Sequence, residues 1–171
     1  LCPGNVRANG DVNPAYEDVY VFDNDFPALL PTPSGATLNL GGLIKAHAES
    51  GQCRVICYSP DHQRSLSTLS LSGIQRIVET WIQETQRAAA SPDVAALTIF
   101  ENRGAMMGAS NPHPHGQIWI NHSIPNELFK ETQSQREFYH NDGRCLLCAY
   151  LALECELQER VVFENDSYVV L

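Results

Sequence analysis

The stretch NPHPHGQIW, Asn111 to Trp119, sets two histidines one proline apart and a glutamine at the next alternate position. A histidine in such a setting has three available jobs: binding a metal, moving a proton, or attacking phosphorus. Gln117 helps to choose among them. A hydrolase that expels a poor leaving group from a nucleotide ester or amide needs a titratable group beside its nucleophile, and glutamine supplies no proton. A sugar 1-phosphate leaves as a stable anion, so a side chain that only hydrogen-bonds a phosphoryl oxygen is sufficient. Neutral imidazole both attacks phosphorus and departs from it, which suits a two-step transfer through a covalent intermediate. Just upstream, ENRGAMMGAS crowds Gly104, Ala105, Gly108, Ala109 and Ser110 together. Small residues let backbone N–H groups approach an anion. Alone they mark an ordinary tight loop, and the histidines turn the reading toward a phosphate cradle.

These groups need a rigid support. Each proline fixes its own φ and biases the residue before it toward extended geometry, so Asn111 and His113 are drawn away from helix. Side chains then alternate, with His113, His115 and Gln117 on one side and Ile118 and Ile120 on the other. Because Pro112 and Pro114 cannot donate ladder hydrogen bonds, the segment is expected to be a strand entered from a loop or lying at a sheet edge. VYVF (19–22), RVICYS (54–59), LTIFEN (97–102) and QIWINHS (117–123) are rich in β-branched and aromatic residues and are the sheet candidates. LSGIQRIVETWIQETQ places Ile74, Ile77, Val78, Trp81 and Ile82 at helical spacing, a stripe expected in the core. Ser70 or Ser72 caps its start, Ser72 with Gln75 as a capping box. Further helices are expected over 126–140 and 146–158, and a surface loop over 26–42. The final RVVFENDSYVVL is strand-like and needs a partner. The fold class is α+β, an antiparallel sheet with the amphipathic helix against one face.

The chain has 171 residues, 43% of them apolar, with no apolar run of membrane-spanning length. A formal charge of −9 argues against wrapping a nucleic-acid backbone, whose affinity comes from Lys and Arg neutralising phosphates. A single bound nucleotide is compatible with it. Six cysteines are too few for a disulfide scaffold in a chain of this size. Free thiols or metal ligands, and with them a cytoplasmic location, are the expectation. Leu1 in place of Met suggests a chain that starts inside a longer protein.

The GASNPHPHGQIW stretch resembles the signature of the galactose-1-phosphate uridylyltransferases, a branch of the histidine-triad superfamily. The resemblance continues through CPGNVRANGDVNP, YVFDNDFPAL, RVICYSPDH, VFEN and IPNE. It implies a histidine-triad-like fold and exchange of UMP between UDP-glucose and galactose 1-phosphate, giving UDP-galactose, by a ping-pong route through a uridylylated histidine. By motif, His115 is implied as the nucleophile, Gln117 as the holder of the phosphoryl oxygen and Ser110 as a phosphate contact. Asn102 and the Gly108 backbone are implied to line the phosphate pocket, and Ala8, Phe22, Asn24 and Asp25 to hold uridine. An aspartate can accept both ribose hydroxyls, and Phe22 would offer the base an apolar wall.

Cys2, His62 and His113 are suitable ligands for a tetrahedral zinc that lacks one partner. The resemblance implies the fourth, a cysteine three residues before Cys2. It also implies that Glu131 joins histidines of a second half at an iron, or second zinc, site. Cys145 and Cys148 form a CxxC that competes as a metal or redox pair, but neighbouring Leu146, Leu147, Tyr150 and Leu151 favour buried thiols. Residues 1–160 are expected to form one histidine-triad-like domain and 161–171 to begin another, which would complete the hexose 1-phosphate site across a homodimer. Two alternatives stay open: a related nucleotidyltransferase or phosphorylase acting on ADP-sugars or dinucleoside polyphosphates, and a nucleotide-binding module without turnover.

Overall fold

The computed structural model describes residues 1–33, 35, 37–109 and 111–171. In chain order its elements are β1 (Tyr20–Asp23), β2 (Leu38–Leu40), β3 (Ile44–Ala46), β4 (Gly51–Cys57), α1 (Leu71–Ala89), β5 (Ala96–Phe100), β6 (His115–Asn121), α2 (Asn126–Asp142), α3 (Leu146–Leu157), β7 (Phe163–Glu164) and β8 (Val169–Val170). They divide into two compact units, Leu1–Ile124 and Pro125–Leu171.

The first unit is built on an antiparallel sheet of order β1-β4-β6-β5. The strand that carries His115 and Gln117 is therefore central, not an edge strand. The prolines are tolerated because they precede it: β6 starts at His115, and the Pro114 carbonyl still accepts from Tyr58 N–H at 3.0 Å. Register sorts the sheet into two faces. Tyr20 pairs with Cys57 and Cys57 with His115, while Phe22, Val55, Gln117 and Phe100 form a second rung on the same side. The opposite side carries Val21, Ile56, Ile118, Ile120, Leu97 and Ile99, packed with Ile77 and Ala88 of α1. Burying Ile77 and Ile118 completely contributes roughly 1.5–3 kcal/mol each. Gly116 is required between the two site residues of β6, since a Cβ there would run into the Tyr58 hydroxyl and the Phe100 carbonyl.

Several expectations are corrected. Ser70, not Ser72, caps α1, its Oγ accepting from Gly73 N–H at 3.2 Å, so Ser72 lies inside the helix and forms no capping box. The stripe of α1 is only partly core: Ile77 is buried and Trp81 half-buried, but Ile74, Val78 and Ile82 are 37–52% exposed. The sheet meets α1 along the side of Ile77 and Ala88, which turns those three outward. Residues 38–40 of the expected loop pair with β3 as an exposed hairpin turning at Gly41 and Gly42, both with positive φ.

In the second unit α2 ends at Gly143, in the left-handed conformation, whose N–H bonds the Tyr139 carbonyl. The terminal strand finds its partner locally, β7 pairing with β8, so residues 161–171 contain a hairpin of their own. Cys145 and Cys148 are both exposed, contrary to the expected burial, because Cys145 stands at the N-cap of α3 and Cys148 on its first turn. Among the described residues no helix is long and apolar enough to cross a membrane.

Candidate active site

The segment before β6 is folded by its own side chains. Asn111 Oδ1 accepts from the His113 N–H at 2.9 Å, an Asx turn that aims the His113 ring inward, where it is 1% exposed. The His113 carbonyl then lies 2.7 Å from His115 Nδ1. A carbonyl only accepts, so Nδ1 carries the proton and Nε2 carries the lone pair. His115 and Asn111 line two recesses at once, one of about 240 Å³ and one of about 330 Å³. His115 stands where they meet.

The smaller recess is lined by Arg64, Glu101, Asn102, Arg103, Gly104 and Ala105, among others. Gly108 is absent from it. Its positive φ closes the 3-10 turn Ala105–Met107, and its N–H is consumed by the Ala105 carbonyl at 3.1 Å. The expected Gly108 backbone contact is therefore engaged within the loop itself. Ser110 lies outside the described residues.

The larger recess contains Ala8, Phe22, Asn24, Asp25, His115 and Gln117. Asn24 Oδ1 caps the following turn by accepting from Phe26 N–H at 3.0 Å. Phe22 is stacked with Tyr20, centroids 5.3 Å apart, and the Arg7 guanidinium lies 4.4 Å from its ring centroid. Arg7, which sequence reasoning missed, thus shares the wall assigned to Phe22; its one signal was adjacency to Ala8. Trp119 was missed as well, although it has the same alternation as His115 and Gln117. Its Nε1–H donates to Gln117 Oε1 at 3.1 Å. That bond fixes the amide so that Gln117 Nε2, the donor, is left for a ligand.

Beside these recesses Cys2 Sγ lies 3.5 Å from both His62 Nδ1 and His113 Nδ1, the three ligand atoms being within 4.8 Å of one another. His62 reaches this point from the SPDHQ turn after β4, where Asp61 Oδ1 accepts from Gln63 N–H. His113 Nε2 donates to the Ser59 carbonyl at 2.9 Å, which leaves Nδ1 unprotonated and turned toward Cys2. Burial pushes the His113 pKa down to about 4. The Tyr16 hydroxyl, 3.0 Å from His113 Nε2, donates to the Leu1 carbonyl and is kept protonated by burial. One soft sulfur and two imidazole nitrogens are a donor set that suits zinc. Glu131 is exposed on α2, and among the described residues it belongs to no group of three potential metal ligands.

Comparison with known proteins gives these groups a lineage. Residues 1–125 match the family described as galactose-1-phosphate uridyl transferase, N-terminal domain. Galactose-1-phosphate uridylyltransferase of Haemophilus influenzae is 40% identical over the whole chain, which covers 48% of that protein. That of Rattus norvegicus is 38% identical over the whole chain and 45% of its own length. The chain therefore spans about half the length of these curated relatives. Among solved structures, a uridylyltransferase superposes with a TM-score of 0.83 at 26% identity, covering 98% of this chain and 52% of that one. An ADP-glucose phosphorylase from Arabidopsis thaliana shares the fold at a TM-score of 0.72 and 23% identity, over 98% of this chain and 50% of that one. With the family matched over residues 1–125 and relatives near 40% identical along its whole length, this chain belongs to the galactose-1-phosphate uridyl transferase family.

Proposed function

We propose that this protein transfers UMP between UDP-glucose and galactose 1-phosphate through a uridylyl group carried on His115. One observation carries the reading: His115 Nδ1–H is held by the His113 carbonyl, so the Nε2 lone pair stands ready where the two recesses meet. Nε2 attacks the α-phosphorus of UDP-glucose, and the bond to the bridging oxygen breaks to release glucose 1-phosphate. The imidazole gains positive charge as the N–P bond forms, and the His113 carbonyl, already accepting from Nδ1, stabilises it. Gln117 Nε2 donates to a non-bridging oxygen, where charge develops. A phosphate oxygen of galactose 1-phosphate then attacks the same phosphorus, and His115 leaves as neutral imidazole. No proton transfer is required in either half, which is why glutamine suffices at 117. Ser110 and Asn102 belong to the phosphate side of this reading, with Gly108 contributing only through the turn it closes beside Asn102, and Ala8, Phe22, Asn24 and Asp25 belong to the uridine side. UDP-galactose as the product and a homodimer are part of the same proposal. So is a cytoplasmic location, supported by cysteines that are all free.

Incubating the protein with UDP-glucose and measuring its intact mass is the test. A gain of one uridylyl group is expected. An adenylyl gain from ADP-glucose with none from UDP-glucose would overturn the reading, as would no gain from either.

Cys2, His62 and His113 are the residues that would hold zinc. The ion would supply a structural cross-link that fixes the His113 backbone, and with it the carbonyl that orients His115. Zinc at a hundredfold excess over its Kd should stabilise the fold by about 2.7 kcal/mol, or roughly 5–10 °C in Tm for a chain of this size. Removing it with a chelator should reverse the gain, and calorimetry checks both. Acid acts in the same direction. Between pH about 6.5 and about 4 the unfolded chain protonates His113 and the folded chain does not, so metal-free stability falls as pH drops through that window. A Tm indifferent to zinc would remove the metal from this site.

A further inference from the structure

Arg7 joins several parts of the larger recess assigned above to a nucleoside. Its Nη1 donates to Asp25 Oδ1 at 3.2 Å and lies 3.4 Å from the Asp23 carbonyl. Its Nη2 donates to Asp11 Oδ2 at 2.7 Å, an oxygen that also accepts from Asn9 Nδ2. The guanidinium is 4.4 Å from the Phe22 centroid. The same residue is folded into the turn that presents Ala8, its N–H on the Asp11 carbonyl and its carbonyl accepting from Gly10 N–H. One side chain thus ties the Ala8 turn to Phe22 at the end of β1 and to Asp25 just beyond it.

The Arg7 and Asp25 side chains are each only 11% exposed. A carboxylate that far from solvent needs a compensating charge, and a planar guanidinium supplies it with a direction as well as a sign. Oδ1 is engaged by Arg7, while Asp25 Oδ2 has no protein partner among the described residues. Asp25 therefore has one oxygen anchored and one presented to the recess. A hydroxyl of a vicinal diol is the natural donor to such an oxygen.

We propose that Arg7 is the positioning residue of the ribose subsite: by anchoring Asp25 Oδ1 it aims the other carboxylate oxygen at the sugar hydroxyls, and so sets preference for ribonucleotide over 2′-deoxyribonucleotide. This rests on reading the recess as a uridine nucleotide site. Lysine would keep the charge but lose the fork that holds Asp25, the Asp23 carbonyl and Asp11 together. Methionine would keep the apolar stem against Phe22 and lose all three bonds.

Calorimetric titration with UDP and 2′-deoxy-UDP tests the assignment without relying on turnover. The wild-type protein should bind UDP more tightly by about tenfold or more, the usual worth of a hydrogen bond to a charged group. In Arg7→Met the ratio should collapse to within about threefold, and in Arg7→Lys it should be intermediate. Arg7→Lys carries the test if Arg7→Met does not fold. A merely structural Arg7 would lower Tm and both affinities in proportion, with the ratio unchanged, and that result overturns the proposal. Wild-type protein that binds UDP without preferring ribose also overturns it, yet leaves the uridine reading standing. Wild-type protein that binds neither nucleotide overturns both.

Discussion

Replacing His115 with asparagine is expected to abolish the uridylyl adduct and to reduce turnover by on the order of 10⁶-fold, the scale on which loss of a nucleophile acts when no other group can take its place. The size follows from the geometry. Among the described residues lining the two recesses, His115 is the only imidazole whose lone pair is released toward them by a bond on the other side of its ring; His113, which lines the smaller recess, is buried and turned toward Cys2. The fold should survive the change. His115 is half-buried at the start of β6, its backbone remains paired with Cys57, and asparagine is polar and smaller. Glycine should give the same chemical result at a greater cost to the strand. Intact mass after incubation with UDP-glucose, alongside a Tm for each variant, measures both claims. An adduct of undiminished yield in a folded His115→Asn protein would place the covalent step on another residue.

The parts of this site that were legible in the sequence are those that depend on local stereochemistry. Two prolines dictate an extended entry, and alternation along β6 puts His115 and Gln117 on the face opposite Ile118 and Ile120, whereas the Asx turn that Asn111 makes with His113 N–H was not read from the sequence. The strands of the main sheet were visible because their β-branched residues are buried on at least one side. β2 was not, since Leu38 and Leu40 are exposed in a short hairpin and no burial pattern marks them. Helical spacing located α1, but spacing alone does not say how wide a stripe its neighbour will cover, so Ile74, Val78 and Ile82 were misplaced. The CxxC was misread for a related reason: apolar neighbours at 146, 147 and 151 do not bury a thiol that sits at the helix N-cap. Arg7 depends on partners 4, 16 and 18 residues away, joined only once the chain is folded. The Gly108 amide shows the reverse limit. Small residues permit an anion cradle, but the loop first satisfies its own carbonyls.

Gln117→Ala should slow formation and discharge of the uridylyl group together, each by ~2.7–4 kcal/mol if Gln117 resembles other preorganised anion-stabilising donors. The structure gives a reason to expect preorganisation. Gln117 Oε1 is occupied by the Trp119 indole N–H, and Trp119 is itself held edge-on to Phe100, their centroids 5.5 Å apart. With the oxygen end bound, the amide cannot flip without losing a hydrogen bond worth about 1 kcal/mol, so the donor end is already presented for the phosphoryl group of the proposed substrate. Trp119→Phe should therefore reproduce a fraction of the Gln117→Ala defect while leaving Gln117 in place. Gln117→Glu should be worse than either, because it keeps the acceptor for Trp119 but replaces the donor with negative charge opposite the phosphate. Gln117→His would put a titratable group beside the scissile bond, and should favour loss of the adduct to water over transfer to sugar. In the proposed two-step transfer both half-reactions would pass through the same phosphorus and the same developing charge, so a donor aimed at that charge should affect them equally. Single-turnover measurement of both steps decides it: rates within about twofold of wild type in Gln117→Ala, a difference of only ~0.4 kcal/mol, would mean that Gln117 does not stabilise the transferring group.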